Sequence, residues 1–229
     1  FPGKPLVKLL NKPMIIRVAD ISSVAVGKGN VFIATDDKRI AEEANNNGYK
    51  SIMTSSNHLT GTDRTAEAAT KIDYDIYVNV QGDEPLIDPN DIMKCIEIKK
   101  QKPDAVVNGF CWMGLEEEPA NINIPKVVTT EDNKLIYMSR NLIPGYKDQI
   151  NKPERYKKQV CIYGFNKNQL NKFSSYENKT EIEKSEDIEI LRFLELDEEI
   201  YMFQCKSGSL AVDEPSDVLL VEEALKNLK

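Results

Sequence analysis

Apolar residues recur along the chain with two different periods, and the switches between them outline an alternating architecture. In residues 13–26, Ile15, Val18, Ala19 and Val26 share the spacing of an amphipathic helix. Residues 31–35 form a short apolar run ending at Asp36-Asp37, which predicts a strand. Residues 37–47, rich in Ala and Glu, predict a helix stopped by Asn47-Gly48. A strand is expected near 51–54, then a polar loop over 55–61, then a helix from an N-cap at Thr62 to about Lys71. A run at 75–80 predicts the next strand, and Asp88-Pro89 supplies an N-cap and a first-turn proline for a helix to about Lys100. Strands and helices in alternation imply an α/β fold with a mostly parallel, Rossmann-like sheet flanked by helices.

The middle of the chain has a different texture. Residues 105–112, 126–130, 135–139 and 159–165 are strand-like with few helices between them, and Thr130-Glu131-Asp132-Asn133-Lys134 reads as a hairpin turn. Residues 145–158 are polar and hold five lysines or arginines, so they are expected to be a mobile connection with a solvated surface. Helices near 166–174 and 183–196, a strand near 200–204 and a last helix from Pro215 complete the pattern. Neither an internal repeat nor a long linker interrupts it. One domain over 1–229 is expected, with 105–165 as its strand-rich region.

Charge and cysteine usage narrow the function class. A net charge of −7 argues against nucleic acid as the main partner, because duplex binding needs a basic surface. A small anionic substrate remains open if lysines and arginines gather locally. Cys95, Cys111, Cys161 and Cys205 are too scattered for a metal-type pair, and three of them lie in apolar runs. They read as reduced core residues of a cytoplasmic protein. No signal peptide is visible, and no apolar run reaches the roughly 18 residues of a membrane span. The sequence starts at Phe1-Pro2-Gly3 without a methionine, and a preceding N-terminal piece is expected.

Two acidic turns carry the candidate chemistry. Val78-Asn79-Val80-Gln81-Gly82-Asp83-Glu84-Pro85 ends a buried strand with two carboxylates, and ligands of parallel α/β sheets collect outside the carboxyl ends of strands. Val212-Asp213-Glu214-Pro215 is a second such turn, ahead of a helix. Cations come from three places. Lys4 sits in the Gly-assisted turn Pro2-Gly3-Lys4-Pro5, Arg64 in Thr60-Gly61-Thr62-Asp63-Arg64 at a helix N-terminus suited to anions, and Arg140 just after a strand. The only histidine, His58, lies in a polar loop and reads as a surface residue rather than a base.

Taken in order, these segments resemble one family. Phe1-Pro2-Gly3-Lys4-Pro5-Leu6, Ala34-Thr35-Asp36, Met53-Thr54, Gly61-Thr62-Asp63-Arg64, the 78–85 stretch, Ile162-Tyr163-Gly164-Phe165 and Val212-Asp213-Glu214-Pro215-Ser216-Asp217 together are similar to 3-deoxy-manno-octulosonate cytidylyltransferases across essentially the whole chain. The resemblance implies transfer of CMP from CTP to the sugar acid 3-deoxy-manno-octulosonate (Kdo) for lipopolysaccharide synthesis, with Mg2+ as cofactor, in a homodimer joined through 105–165. It implies that Asp83 and Asp213 bind the metal. Lys4, Thr54, Thr62 and Arg64 would frame the nucleotide together with Asp83. Lys4, Arg64 and Asp83 would act in catalysis, and Gln81, Arg140, Tyr163 and Glu189 would face the sugar.

The sequence also departs from that family's pattern. The family has a strand and an Arg-x-x-Ser-x-Arg loop before the lysine turn, and this sequence begins after them. Gln159 stands where the family usually has histidine, and Ile190 where it often has glutamine; both changes are expected to lie toward the sugar. Glu189 is expected to share a helix face with Glu186 and Phe193. Substrate identity therefore stays open between Kdo and a relative such as its 8-amino analogue. A metal-dependent glycosyltransferase and a non-catalytic nucleotide-binding module are the alternatives from other classes.

Overall fold

In the computed structural model, which describes residues 3–206, 210–212 and 214–227, strands and helices alternate in the expected order. A small hairpin, β1 (Lys8–Leu9) against β2 (Lys12–Pro13), leads into α1 (Met14–Val26). β3 (Phe32–Thr35) and β4 (Lys50–Met53) pair in parallel around α2 (Lys38–Asn46). Next come α3 (Gly61–Lys71), β5 (Tyr77–Val80) and α4 (Pro89–Gln101). Asp88 caps α4 as expected, its carboxylate accepting the Asn90 N–H at 2.9 Å. At α3 the N-cap is Thr60 rather than Thr62: the Thr60 hydroxyl accepts the Asp63 N–H at 3.1 Å, and Thr62 lies buried in the first turn.

The remaining elements are β6 (Val106–Trp112), β7 (Lys126–Thr129), β8 (Leu135–Ser139), β9 (Lys157–Phe165), α5 (Lys167–Ser174), α6 (Glu181–Glu186), α7 (Leu191–Glu195), β10 (Ile200–Gln204) and α8 (Asp217–Asn227). The main sheet runs β10-β6-β9-β7-β8, with β5 also on β9. The α/β class and the flanking helices match expectation, but this sheet is mixed. β10 is parallel to β6, whereas β9 is antiparallel to β5, β6 and β7. The cause is the strand-rich middle. The chain goes out through the β7–β8 hairpin and returns as β9 in the reverse direction, so no helical crossover is needed.

Successive residues of a strand face opposite sides of a sheet, and β6 feeds two cores in this way. Val106 and Phe110 join Ala66 and Ala69 of α3, Leu170 and Phe173 of α5 and Phe193 of α7. Val107 and Cys111 join Ile92 and Cys95 of α4 on the other side. Each fully buried large apolar side chain contributes about 1.5–3 kcal/mol. Cys95, Cys111 and Cys205 are buried and Cys161 is half-buried; all four are free thiols. Among the described residues no helix is long and apolar enough to cross a membrane.

Two expectations fail for physical reasons. The 145–158 stretch is not all solvated connection, because β9 begins at Lys157 and Lys158 is buried against the carboxylate of Glu117. Lys157 lies over the Phe110 ring at 4.5 Å, and Arg155 lies over the ring of Trp112, the only tryptophan, at 4.9 Å. The expected helix over 183–196 is broken into α6 and α7 at Asp187, which takes a left-handed conformation (φ 50°). Arg140 holds the break open by donating Nε to the Glu186 carbonyl at 2.5 Å and Nη2 to the Asp187 carbonyl at 2.9 Å. Those carbonyls are thereby satisfied without a continuing helix.

Candidate active site

Lys4 and Asp83, far apart in sequence, meet at the end of β5. Gly3 adopts a left-handed φ of 73°, which a glycine takes without steric cost, and delivers Lys4 into a short 3-10 turn. The Lys4 ammonium then lies 2.8 Å from Asp83 Oδ2, with both side chains about a quarter exposed (25% and 21%). The second acidic turn arrives at the same place, as the Val212 N–H donates to the Asp83 carbonyl at 3.0 Å. Asp213 itself lies outside the described residues.

A second group forms where β5 meets the N-terminus of α3. Gln81 Nε2 donates to Glu189 Oε1 at 2.8 Å, and the Thr62 N–H donates to Glu189 Oε2 at 2.9 Å. Burial pushes the Glu189 carboxyl above the usual carboxylate range, while the bonds from Thr62 and Gln81 pull the other way. Glu189 sits in the link between α6 and α7, not on a helix face with Glu186 and Phe193. Gly61, at the first turn of α3, lies against Asn79, Gln81 and Glu189, whose side-chain atoms would be in van der Waals contact with a Cβ there. Asn79 was not among the expected site residues, and its buried side-chain NH2 has no hydrogen-bond partner among the described residues. Its signal was available, since it precedes Gln81 by two residues and shares its face of the strand.

Arg64 joins two further strand ends. Its Nη1 donates to Thr54 Oγ1 at 2.6 Å, just after β4, and its Nη2 pairs with Asp36 Oδ1 at 3.1 Å, just after β3. Asp36 was a motif residue with no assigned role. The polar residues Lys4, Asp36, Arg64, Gln81 and Asp83 all border a cavity of about 870 Å3. Ile33 and Ala34 of β3 and Val78 and Val80 of β5 also line it. Asp36, Gln81 and Asp83 follow the carboxyl ends of β3 and β5, where α/β folds bind ligands.

The other expected sugar-side residues stand apart from this rim. Tyr163 is buried in β9 opposite Asn79, and its hydroxyl accepts a bond from Gln159 Nε2 at 3.2 Å. Gln159 also donates to Asn108 Oδ1 at 3.1 Å. Burial drives the Tyr163 phenol well above its ordinary pKa. Arg140 is engaged with the backbone of Glu186 and Asp187, next to the segment that carries Glu189. Ile190 does not face a pocket; it is 1% exposed and belongs to the main core. His58 pairs with Glu67 of α3 at 2.6 Å and does not line the cavity. Among the described residues no group of three or more His, Cys, Asp or Glu is gathered to hold a metal ion.

Residues 1–200 match a family model described as cytidylyltransferase. The chain is 37% identical over 236 residues to a 3-deoxy-manno-octulosonate cytidylyltransferase of Trichlorobacter lovleyi, covering 99% of this chain and 93% of the relative. The chain belongs to this cytidylyltransferase family. It is also 34% identical to the Escherichia coli enzyme of that name, over 94% of this chain and 86% of the relative. A solved structure of a CMP:2-keto-3-deoxy-manno-octonic acid synthetase, determined in complex with CTP, superposes with a TM-score of 0.91 at 32% identity, covering 100% of this chain and 94% of that one. Membership decides for a cytidylyltransferase over the glycosyltransferase and non-catalytic alternatives.

Proposed function

We propose that this cytidylyltransferase transfers CMP from CTP to the anomeric hydroxyl of Kdo, releasing pyrophosphate and supplying CMP-Kdo for lipopolysaccharide synthesis. The observation that carries the reading is that the Lys4–Asp83 pair and the Gln81–Glu189–Thr62 group both gather at the end of β5, in a chain so close to a CTP-bound synthetase. Lys4 and Arg64 neutralise the triphosphate, and Thr54 and Thr62 hold the nucleotide beside them. Gln81 and Glu189 bind sugar hydroxyls, with Tyr163 and Arg140 supporting that wall. In the reaction the sugar hydroxyl oxygen bonds to the α-phosphorus, the bond from that phosphorus to the bridging oxygen breaks, and the hydroxyl proton is lost. Phosphoryl-group transfer of this kind asks the protein mainly for positioning and charge neutralisation.

A divalent ion fits the donor set. Mg2+ is usually held by one or two carboxylates together with substrate phosphates, and Asp83 offers a hard oxygen donor at the rim. Asp213, adjoining Val212 and so next in sequence to a residue bonded to Asp83, would be the second donor. When bound, Mg2+ neutralises charge on the phosphate oxygens. We assign the homodimer contact to the 105–165 region, whose apolar Leu115, Ile122, Ile136 and Ile150 are exposed. A cytoplasmic setting suits the four free cysteines.

Gln159, bonded to Tyr163 where the family usually has histidine, keeps one specific alternative alive: a Kdo relative altered at the far end of its chain, such as 8-amino-Kdo. The test is pyrophosphate release from CTP with Mg2+, with Kdo, with 8-amino-Kdo and with neither. Kdo-dependent release is expected. A tenfold or greater preference for the amino sugar, equivalent to about 1.4 kcal/mol, would transfer the assignment to it. No sugar-dependent release from either would refute the proposal.

A further inference from the structure

Arg192 of α7 has no exposed side-chain surface, yet it is the most heavily bonded cation among the described residues that no part of the reaction above uses. Its Nε and Nη2 donate to the two oxygens of Glu183 at 2.7 and 2.8 Å. Its Nη1 donates to Asp63 Oδ1 at 3.0 Å and to the Phe173 carbonyl at 3.1 Å, and the guanidinium lies 3.7 Å from the centre of the Phe173 ring. Glu183 belongs to α6 and Asp63 to the first turn of α3. Burying a guanidinium between two carboxylates is a poor route to stability, since well-packed apolar groups often do as well. Its advantage is geometric, because the rigid fork fixes the elements it joins.

The element joined matters for the site. Glu189, three residues before Arg192, accepts the Thr62 N–H, while Arg192 holds the Asp63 carboxylate. One short segment thus grips two consecutive residues of α3, one by backbone and one by side chain. Arg64 follows immediately. The other Asp63 oxygen accepts from the Thr60 hydroxyl at 2.8 Å, closing the turn on itself. Without the Asp63 link, the polar hold of this segment on the turn would rest on Glu189 alone.

We propose that Arg192 is a positioning residue, which through Asp63 fixes the first turn of α3 and so sets Arg64, on the nucleotide side, against Gln81 and Glu189 on the sugar side. The catalytic part of this inference rests on the cytidylyltransferase reading above. Asp63→Ala cuts the link while leaving the Arg192–Glu183 pair neutral and intact; Asp63→Asn keeps one oxygen to accept from Arg192, and its Nδ2 can donate to the Thr60 hydroxyl in place of the bond it received. A displacement of about 1 Å costs on the order of 100-fold in rate, so kcat of the Ala variant should fall by about that factor, with KM for each substrate within about threefold of wild type. The Asn variant should recover most of it. A kcat loss that Asn does not restore, or no loss in Ala, overturns the proposal. Hydrogen exchange on the substrate-free proteins reads the same turn independently of activity. The Thr62 and Asp63 amides should exchange about tenfold faster in the Ala variant and near the wild-type rate in the Asn variant. Unchanged exchange in the Ala variant overturns the proposal even if wild type proves inactive on Kdo, an outcome that removes the functional reading alone.

Discussion

Replacing Asp83 with asparagine keeps the shape of the side chain and removes its charge, so it separates two roles of one residue. The structural role is the ion pair with Lys4 at 2.8 Å, whose members are 25% and 21% exposed. Ion pairs that keep some contact with solvent contribute about 0.2–1 kcal/mol, and asparagine keeps an oxygen that can accept from Lys4. The loss of stability should therefore stay below about 1 kcal/mol, a shift of no more than about 2–4 °C in Tm for a chain of this size. The proposed catalytic role is to bind the metal beside the transferring phosphoryl group. Loss of that charge should lower kcat by about 100-fold or more, or about 2.7 kcal/mol in the barrier. The assay is Kdo-dependent pyrophosphate release across a Mg2+ titration, paired with thermal unfolding followed by circular dichroism. Activity within threefold of wild type at saturating Mg2+ would refute the metal assignment. A fall in Tm well beyond this range would show that Asp83 serves the fold instead.

Other perturbations test neighbouring parts of the argument. Lys4→Ala and Arg64→Ala should each weaken CTP binding by about tenfold in calorimetry, the size of a charge-assisted contact, with little change in affinity for the sugar acid; unchanged CTP affinity and turnover in both would end their assignment. Lys99 is 1% exposed and donates to the carbonyls of Pro103 and Ala105 and to Gln169, and burial lowers its pKa to about 8. Between about pH 8 and its unfolded value near 10.4 the unfolded chain binds more protons than the folded one. Lys99 should therefore favour the fold more as pH rises through that window, and a pH-independent stability difference between wild type and Lys99→Met would contradict this. A Cβ at Gly109 would lie 2.7 Å from Cys205 Sγ and 3.3 Å from Val160, so Gly109→Ala should destabilise by about 1–3 kcal/mol in urea unfolding. A loss below about 0.5 kcal/mol would show that the β6–β9 junction yields easily.

The sequence pattern showed most clearly those elements whose signals are local. The helical spacing of Ile15, Val18 and Ala19 lies in α1, and Asp88-Pro89 opens α4 as expected. At α3 the expected cap, Thr62, lies two residues too late, because the hydroxyl that accepts the Asp63 N–H is that of Thr60. The break between α6 and α7 was hidden because Arg140, distant in sequence, is what satisfies the freed carbonyls. Lys157 and Lys158 looked like surface because lysines usually are; their partners, the Phe110 ring and Glu117, come from other elements. Candidate site residues were legible as strand-end carboxylates and Gly-assisted cations. Their pairing was not, since Lys4–Asp83 and Gln81–Glu189 close only when the sheet assembles. Asn79 lies within the same motif as Gln81 and Asp83, and only its burial without a hydrogen-bond partner among the described residues sets it apart.

Trp112 gives the protein an internal optical probe. It is the only indole in the chain, and its surroundings come from several parts of the strand-rich region: Phe110 edge-on at 6.4 Å, Lys157 at 5.5 Å and Arg155 at 4.9 Å. Indole emission follows the local field and the local solvent, so red-edge excitation, which spares the nine tyrosines, reads this region and little else. Peeling β9 from β6 would remove two cations from the ring and change its spectrum while the β3–β4 half stayed silent. The same signal, followed on dilution, would report whether a second subunit leans on this region, with no label added.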